Sequence, residues 1–372
     1  MSTLKFTISL IKVSNVRMDG MTKIRKRSED IRVFILDHIS QEGIAFKISQ
    51  KFGISRQAAN RHLKNLTGEG ALVADGQTRK RSYKMAATAS IVFRYEIKPG
   101  LAEDVVWRQD IQPFIGTLPD NVLQIWNYAF TEMFNNAIDH SGGNLIFVEI
   151  TKSAVDTEIM IIDDGIGIFK KIQDALGLPD EKQAIFELSK GKLTTDSVNH
   201  SGQGIFFTSR MVNGFDILSG GVFFSHELGK EIDWMADREA IGKGTVIMLK
   251  VDNHTARTVK RVYDQYSVGD SEGFNKTIVP VKLAKYGTDQ LVSRSQAKRV
   301  LVRVDQFAQV IFDFTGVDMI GQAFADQIFR VFASEHPNVA LIPSHANPEI
   351  MGLIQATIKS GRPGFKGEVP PV

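Results

Sequence analysis

The 372-residue sequence contains no cysteine. Disulfides, thiolate zinc sites and cysteine nucleophiles are thereby excluded, and the absence agrees with a reducing, cytoplasmic setting. No run approaches the roughly 18 consecutive apolar residues of a membrane-spanning helix, so none is expected. The opening residues, Met1 to Leu10, lack a long apolar stretch and a small-residue cleavage site, which argues against a secretory signal. Met18 and Met21 each offer a later start, and residues 1–24 read as an N-terminal extension. What is present suits a globular chain of two or three domains: 43% apolar residues and a mean hydropathy of −0.09.

The net charge of +3 is unevenly placed. Residues 21–86 hold 14 Lys/Arg against 6 Asp/Glu, a formal +8, whereas residues 87–372 hold 28 against 35, a formal −7. A basic head on an acidic body points to an anionic partner for the head alone.

Within that head, residues 25–86 read as three helices and a hairpin. Ser28 can cap a helix reaching Ile39, Ala45 to Phe52 forms a second closed by Gly53, and Ser55 caps a third over Arg56 to Leu66. Ala59, Leu63 and Leu66 share its inner face, while Arg56, Gln57, Asn60, Arg61 and Lys64 lie outward. Leu72-Val-Ala74, a turn at Asp75-Gly76 and Arg79-Lys-Arg-Ser-Tyr-Lys84 follow. This order resembles a winged helix-turn-helix, with Ile54-Ser-Arg-Gln-Ala-Ala59 opening the recognition helix. The resemblance implies DNA as partner. Arg56, Gln57 and Arg61 would enter the major groove with Asn60 and Lys64 on the same side, and wing residues Arg79, Lys80 and Arg81 would touch phosphates. A winged helix that binds protein would show the same pattern.

Ala86 to Ser90 reads as a linker, and a strand at Ile91 to Ile97 opens a second region. Its centre is Thr131-Glu-Met-Phe-Asn-Asn-Ala-Ile-Asp-His-Ser141, closing a helix expected over Asn121 to His140 from apolar residues at Val122, Ile125, Tyr128, Ala129, Met133 and Ala137. Glu132 and Asn136 stand four apart on the polar stripe and share a face. An amide oxygen is a hard ligand for Mg²⁺, and a carboxylate beside it can orient or deprotonate water. Taken alone, the pair also fits a solvated helix face. Two later segments add to it. The apolar run Glu158 to Ile162 ends in Asp163-Asp-Gly-Ile-Gly167, setting a carboxylate at a strand end among glycines. Ser201-Gly-Gln-Gly204 then opens an apolar helical run, Ile205 to Val212, whose N-terminus is a seat for phosphate.

At these residues the sequence resembles the GHKL superfamily of ATP-binding domains: gyrase-type topoisomerases, Hsp90 chaperones, histidine kinases, MutL and anti-sigma-factor serine kinases. Glu132-Met-Phe-Asn-Asn-Ala137 resembles that family's N box, Asp163-x-Gly-x-Gly167 and Gly202-x-Gly204 its two glycine boxes, and Gly244-Thr245 its closing strand. The resemblance spans residues 91–252 and implies a two-layer α/β sandwich, the Bergerat fold, with ATP and Mg²⁺ as ligands. Asp163 would accept from the adenine amino group, supported by Thr245, with Gly165 and Gly167 passing close to the base. Asn136 would ligate Mg²⁺. Gly202, Gln203, Gly204 and Ile205 would hold phosphates, and Glu132 would act as general base. Phe169 to His200 would form the lid, where Lys192, Thr194, Thr195 and His200 either reach phosphate or sit on a solvated loop. Asp139-His-Ser141 looks most like the anti-sigma kinase branch; His140 is not a histidine-kinase phosphoacceptor, since no dimerisation helix pair precedes it.

Residues 253–276 read as a connector. From Thr277 to Lys359 strands and helices alternate, which suggests a small α/β layer fold. Asp313-Phe-Thr-Gly-Val-Asp-Met-Ile-Gly-Gln-Ala-Phe-Ala-Asp326 is similar to STAS-like domains, relatives of anti-sigma-factor antagonists, and implies a protein partner for residues 277–360. In those antagonists a serine at a helix start accepts phosphate. The corresponding place here, Gly321-Gln322, has no hydroxyl, and Thr315 is the nearest substitute. Residues 361–372 read as a flexible tail.

The expected chain is therefore multi-domain: winged helix, central sandwich and small C-terminal α/β domain. Three functions can use it. The first is an ATP-binding, ATP-hydrolysing DNA-binding regulator whose nucleotide state controls DNA or partner binding. The second is an anti-sigma-type serine/threonine kinase acting on a partner protein, and the third a non-catalytic ATP-sensing scaffold. Winged helices that read two half-sites and GHKL domains that pair would both suit a homodimer.

Overall fold

The computed structural model describes residues 27–36, 38–39, 43–76, 82–86, 89–193, 202–229, 234–237, 242–268, 273–285 and 290–360. The expected N-terminal extension, the wing tip with Arg79, Lys80 and Arg81, the segment with Thr194, Thr195 and His200, and the C-terminal tail lie outside them.

The head packs helix α1 (27–36) against α2 (Ile44–Phe52) and α3 (Arg56–Gly68), followed by a hairpin of β1 (Leu72–Asp75) and β2 (Ser82–Met85). Ser55 is extended and its hydroxyl accepts from the Ala58 N–H at 3.1 Å, which starts α3. Ala59, Leu63 and Leu66 then meet Ile35, Leu36 and Ile48 in a core of their own. Two links dock this head on the next region: Arg32 Nη2 donates to the Ala154 carbonyl at 2.7 Å, and the Ala256 N–H donates to Glu29 at 3.0 Å.

The centre is a seven-stranded sheet in the order β3-β4-β5-β9-β6-β7-β8, antiparallel throughout. Its strands are β3 (Ala89–Glu96), β4 (Leu145–Lys152), β5 (Asp156–Asp163), β6 (Gly214–Ser219), β7 (Val222–Glu227), β8 (Trp234–Asp237) and β9 (Thr245–Asp252). β3 thus begins inside the stretch expected as linker, and β8 has no counterpart in the sequence reading. β4, β5 and β9 bury alternate residues, so one face packs on helices and the other stays partly exposed.

On the packed face, α4 (Glu103–Val106) runs through a π-type turn, Trp107–Ile111, into α5 (Gln112–Ile115). Next come α6 (Asp120–His140), α7 (Ile168–Leu176), α8 (Glu181–Lys190) and α9 (Gly204–Met211). α6 buries Trp126, Phe130 and Phe134 completely, each contributing roughly 1.5–3 kcal/mol. The expected connector instead carries α10 (Val259–Gln265), capped by Thr258. α10 buries Val262 and lays Tyr263 4.0 Å from the Phe207 ring of α9. Its hold is mainly aromatic and spans few turns, so apolar periodicity hardly marks it.

The C-terminal layer is a parallel sheet, β10 (Lys276–Pro280), β11 (Gln309–Asp313) and β12 (Ala340–Ser344), in that order. Its helices are α11 (Arg294–Leu301), α12 (Gln322–Asp326) continuing through a π-type stretch, Gln327–Phe332, into α13 (Ala333–Glu335), and α14 (Pro348–Ser360). Ser293 and Gln296 form a reciprocal capping box on α11. Phe206, Tyr266, Phe274 and Phe307 join this layer to the centre in one apolar core. Among the described residues no helix is long and apolar enough to cross a membrane.

Candidate functional site

α6, β5, β9 and α9 meet around a cavity of about 310 Å³. Because α6 turns its apolar stripe to the sheet, its polar stripe carries Glu132 and Asn136 into the cavity wall. β5 delivers Asp163 and β9 delivers Thr245; the two are in register, and both line the void. Gly202, Gly204 and Ile205 complete the wall at the start of α9. Of the residues singled out from sequence, Gly165, Gly167 and Gln203 flank this cavity rather than line it.

Asp163 is only 8% exposed. Burial pushes its carboxyl above the usual range, opposed by hydrogen bonds from the Gly165 N–H at 2.9 Å and from the Thr245 backbone and hydroxyl. The Thr245 hydroxyl also accepts from the Ile168 N–H at 3.0 Å, linking the carboxylate to the start of α7, which follows Gly167. Gly165 must lack a side chain, since a Cβ there would stand 2.1 Å from the Ser141 carbonyl at the end of α6. The chain after Asp163 is thereby pressed against the helix that carries Glu132.

The first N–H groups of α9 have no partner within the helix. Glu132 sits against this end: a Cβ added to Gly204 would be 2.0 Å from Glu132 Oε2. A carboxylate beside a positive helix end is favourable, and the same end suits other anions. Asn136 supplies a second sign of a polar ligand. Its Nδ2 is buried without a hydrogen-bond partner, a loss of about 1–3 kcal/mol unless something polar enters the cavity. The two ends of the amide have the same shape, so a half turn presents oxygen instead.

Lys171, His140 and Ser141 also line the cavity, although the sequence reading gave Lys171 no role. Lys171 Nζ donates to the His140 carbonyl at 2.8 Å, and burial lowers its pKa against the opposing pull of Asp139. The signal available was the i, i+3, i+4 spacing of Ile168, Lys171 and Ile172 after the glycines. Lys192, expected either at phosphate or in solvent, turns to the C-terminal layer. Its Nζ donates to the Gln306 carbonyl at 2.7 Å and lies 4.5 Å from the Phe307 ring. Among the described residues no cluster of three or more His, Asp or Glu could hold a metal.

In the head, Arg56, Gln57, Asn60, Arg61 and Lys64 are all exposed on α3. The Arg56 guanidinium rests 4.9 Å from the Phe46 ring of α2. In the C-terminal layer, the Thr315 hydroxyl donates to Asp313 at 2.7 Å, and His345 Nδ1 lies 2.9 Å from the same oxygen. Gly321, at the cap of α12, has no hydroxyl to offer, nor has Gln322.

Residues 296–351 match the family described as a STAS-like domain of unknown function (DUF4325). The match runs from α11 into α14, so the C-terminal layer is a STAS-like domain. No curated protein matches the chain.

Proposed function

We propose that the protein binds ATP in the central cavity and uses nucleotide state to control how its basic head meets DNA. One observation carries this reading. A single void is lined by a buried strand-end carboxylate, a carboxylate–amide pair on one helix face and a helix N-terminus, three parts suited to the base, the metal and the phosphates of an adenine nucleotide. The resemblance to GHKL domains gives each a role. Asp163, held by Thr245, accepts from the adenine amino group. The N–H groups from Gly202 to Ile205 hold phosphate oxygens, and Lys171 adds positive charge to the same cavity.

The orphaned amide of Asn136 fits a Mg²⁺ ligand once its oxygen faces the cavity. Bound there, Mg²⁺ would neutralise phosphate charge and fix its orientation. Glu132 would orient a water and take its proton, a role supported by its contact with the helix end where phosphates would lie. Three helices followed by a hairpin, with five long polar side chains outward on α3, support a winged helix whose α3 enters the major groove.

The STAS-like match favours a second reading, a protein kinase acting on a partner that docks on the C-terminal domain. Gln322 cannot accept phosphate, so the acceptor would be another hydroxyl of this domain, such as Thr315, or belong to another chain. Incubation with Mg²⁺ and γ-labelled ATP separates the two. Free phosphate that disappears in Glu132→Ala supports an ATPase, and label retained on this chain or on an added protein supports a kinase. ATP binding without either product in any mixture would remove both enzymatic readings.

A further inference from the structure

The segment Glu187 to Leu193 faces two ways. Leu188 and Leu193 line the central cavity. The Leu193 N–H donates to the Gly202 carbonyl at 3.0 Å, joining this wall to the start of α9. From the same few residues, polar groups reach the STAS-like domain. Glu187 and Lys190, 0% and 1% exposed, pair at 2.7 Å. Lys190 Nζ also donates to the carbonyls of Val302 at 2.9 Å and Arg299 at 3.3 Å.

Arg303 completes the cluster from the other side. Its Nη1 lies 3.4 Å from Glu187 Oε2, and its Nη2 donates to the Gly191 carbonyl at 3.0 Å and to that of Lys192. Arg303 holds a φ of 62°, uncommon for a residue with a side chain, while making these contacts. The Thr277 hydroxyl on β10 donates to the Lys190 carbonyl at 2.6 Å, and Lys192 reaches Gln306. Burial pulls Lys190 down to about 8 in pKa despite Glu187. Four charged side chains and six carbonyls thus meet across this seam.

We propose that the STAS-like domain is a cis-acting clamp that preorganises the phosphate-side wall of the central cavity, so that nucleotide occupancy and docking of this domain strengthen each other. The inference rests on the nucleotide reading above and names the regulation of that same site. A seam built on buried, mutually dependent charges tends to be made or broken as a unit, which suits a two-state device better than gradual loosening. In the docked state the cavity wall is already formed, so a ligand does not bear the cost of ordering it. By linkage, a nucleotide that needs the ordered wall must favour docking by the same factor. A partner that competes for the seam would then release nucleotide.

The test measures Mg-ATP affinity by titration for the full-length protein and three variants. Arg303→Met removes the arm that crosses the seam, Thr277→Val removes one hydroxyl with little change of shape, and Arg330→Ala breaks a half-buried ion pair elsewhere in the same domain. Arg303→Met is expected to weaken ATP at least about fivefold, Thr277→Val by a smaller factor in the same direction, and Arg330→Ala by less than about twofold. Mg-ATP should also slow amide hydrogen exchange over residues 294–306 in the wild type. Unchanged or tighter ATP binding in Arg303→Met, with wild-type binding intact, overturns the clamp alone. Wild-type protein that binds no ATP overturns the nucleotide reading and the clamp with it. Should Arg303→Met fail to fold, wild-type exchange decides: no slowing over 294–306 on adding ATP overturns the inference.

Discussion

Asp163 and Thr245 face each other across β5 and β9, and both the amide and the hydroxyl of Thr245 bond to the Asp163 carboxylate. The threonine thereby fixes which carboxylate lone pairs remain for a ligand. Asp163→Asn places an amide donor where the adenine amino group must donate, and ATP affinity is expected to fall roughly 10²-fold. Thr245→Val should cost less, about 5- to 10-fold, because the carboxylate survives but loses its support. Titration of each variant with ATP checks both.

The same burial predicts a pH dependence. Asp163 titrates above its ordinary value of 3.8 because of desolvation, with neighbouring Asp164 adding to the rise. Only the ionised carboxylate can accept from adenine without turning, so ATP affinity should increase as pH rises through that raised pKa. Stability moves the other way over this window. Between 3.8 and the raised value the folded chain binds more protons than the unfolded chain, so rising pH lowers stability there. Asp164 has the opposite sign and a lower window. Its carboxylate accepts from the Asn144 and Leu145 N–H groups, its pKa is depressed, and its contribution is lost as pH falls below 3.8. Asp163→Asn should flatten the upper feature and leave the lower one, measured by melting between pH 3 and 7.

Gly204→Ala tests the contact between Glu132 and α9. A methyl group there would lie 2.0 Å from Glu132 Oε2, and this carboxylate would have to swing away. Hydrolysis is expected to fall about 10²-fold or more while ATP binding changes less, since the base is displaced and the adenine pocket is not. Single-turnover hydrolysis compared with equilibrium binding separates the two effects.

For the head, Arg61 and Lys64 are exposed on α3 and are expected to meet DNA. If Lys64 neutralises one phosphate, Lys64→Ala should lower the slope of log K against log salt by about 0.9 and weaken all sequences alike. Arg61→Ala should in addition relax base preference. Leu63→Ala, on the buried side, should instead destabilise the head by about 2–5 kcal/mol and abolish binding through unfolding. Fluorescence anisotropy at several salt concentrations, alongside thermal melts, distinguishes these cases.

Local signals made much of this legible. Ser55 and Gly53 bracket α3 and its predecessor by cap chemistry that works within a few residues, and the period of Val122, Ile125, Ala129 and Met133 defines α6. Asp163 sits at the end of β5 because an apolar run stops at an Asp-Asp-Gly turn. The residues that were not legible owe their places to distant partners. Glu187, Lys190 and Arg303 carry no local signal of burial, yet Glu187 and Lys190 are buried because Arg303 and its neighbours cover them from over a hundred positions away. Lys192 turns from the cavity for the same reason. α7 and α10 escaped because a lid and a connector were expected over their sequences, and α10 buries Val262 alone.

The most direct measurement is calorimetric titration of the full-length protein with ATP and with GTP, both with Mg²⁺. Saturable binding of ATP, with GTP weaker by roughly 10²-fold and ATP lost in Asp163→Asn, is the expected result. GTP binding as tight as ATP, or no heat from either nucleotide at millimolar concentration, would contradict an adenine nucleotide site between α6, β5 and α9.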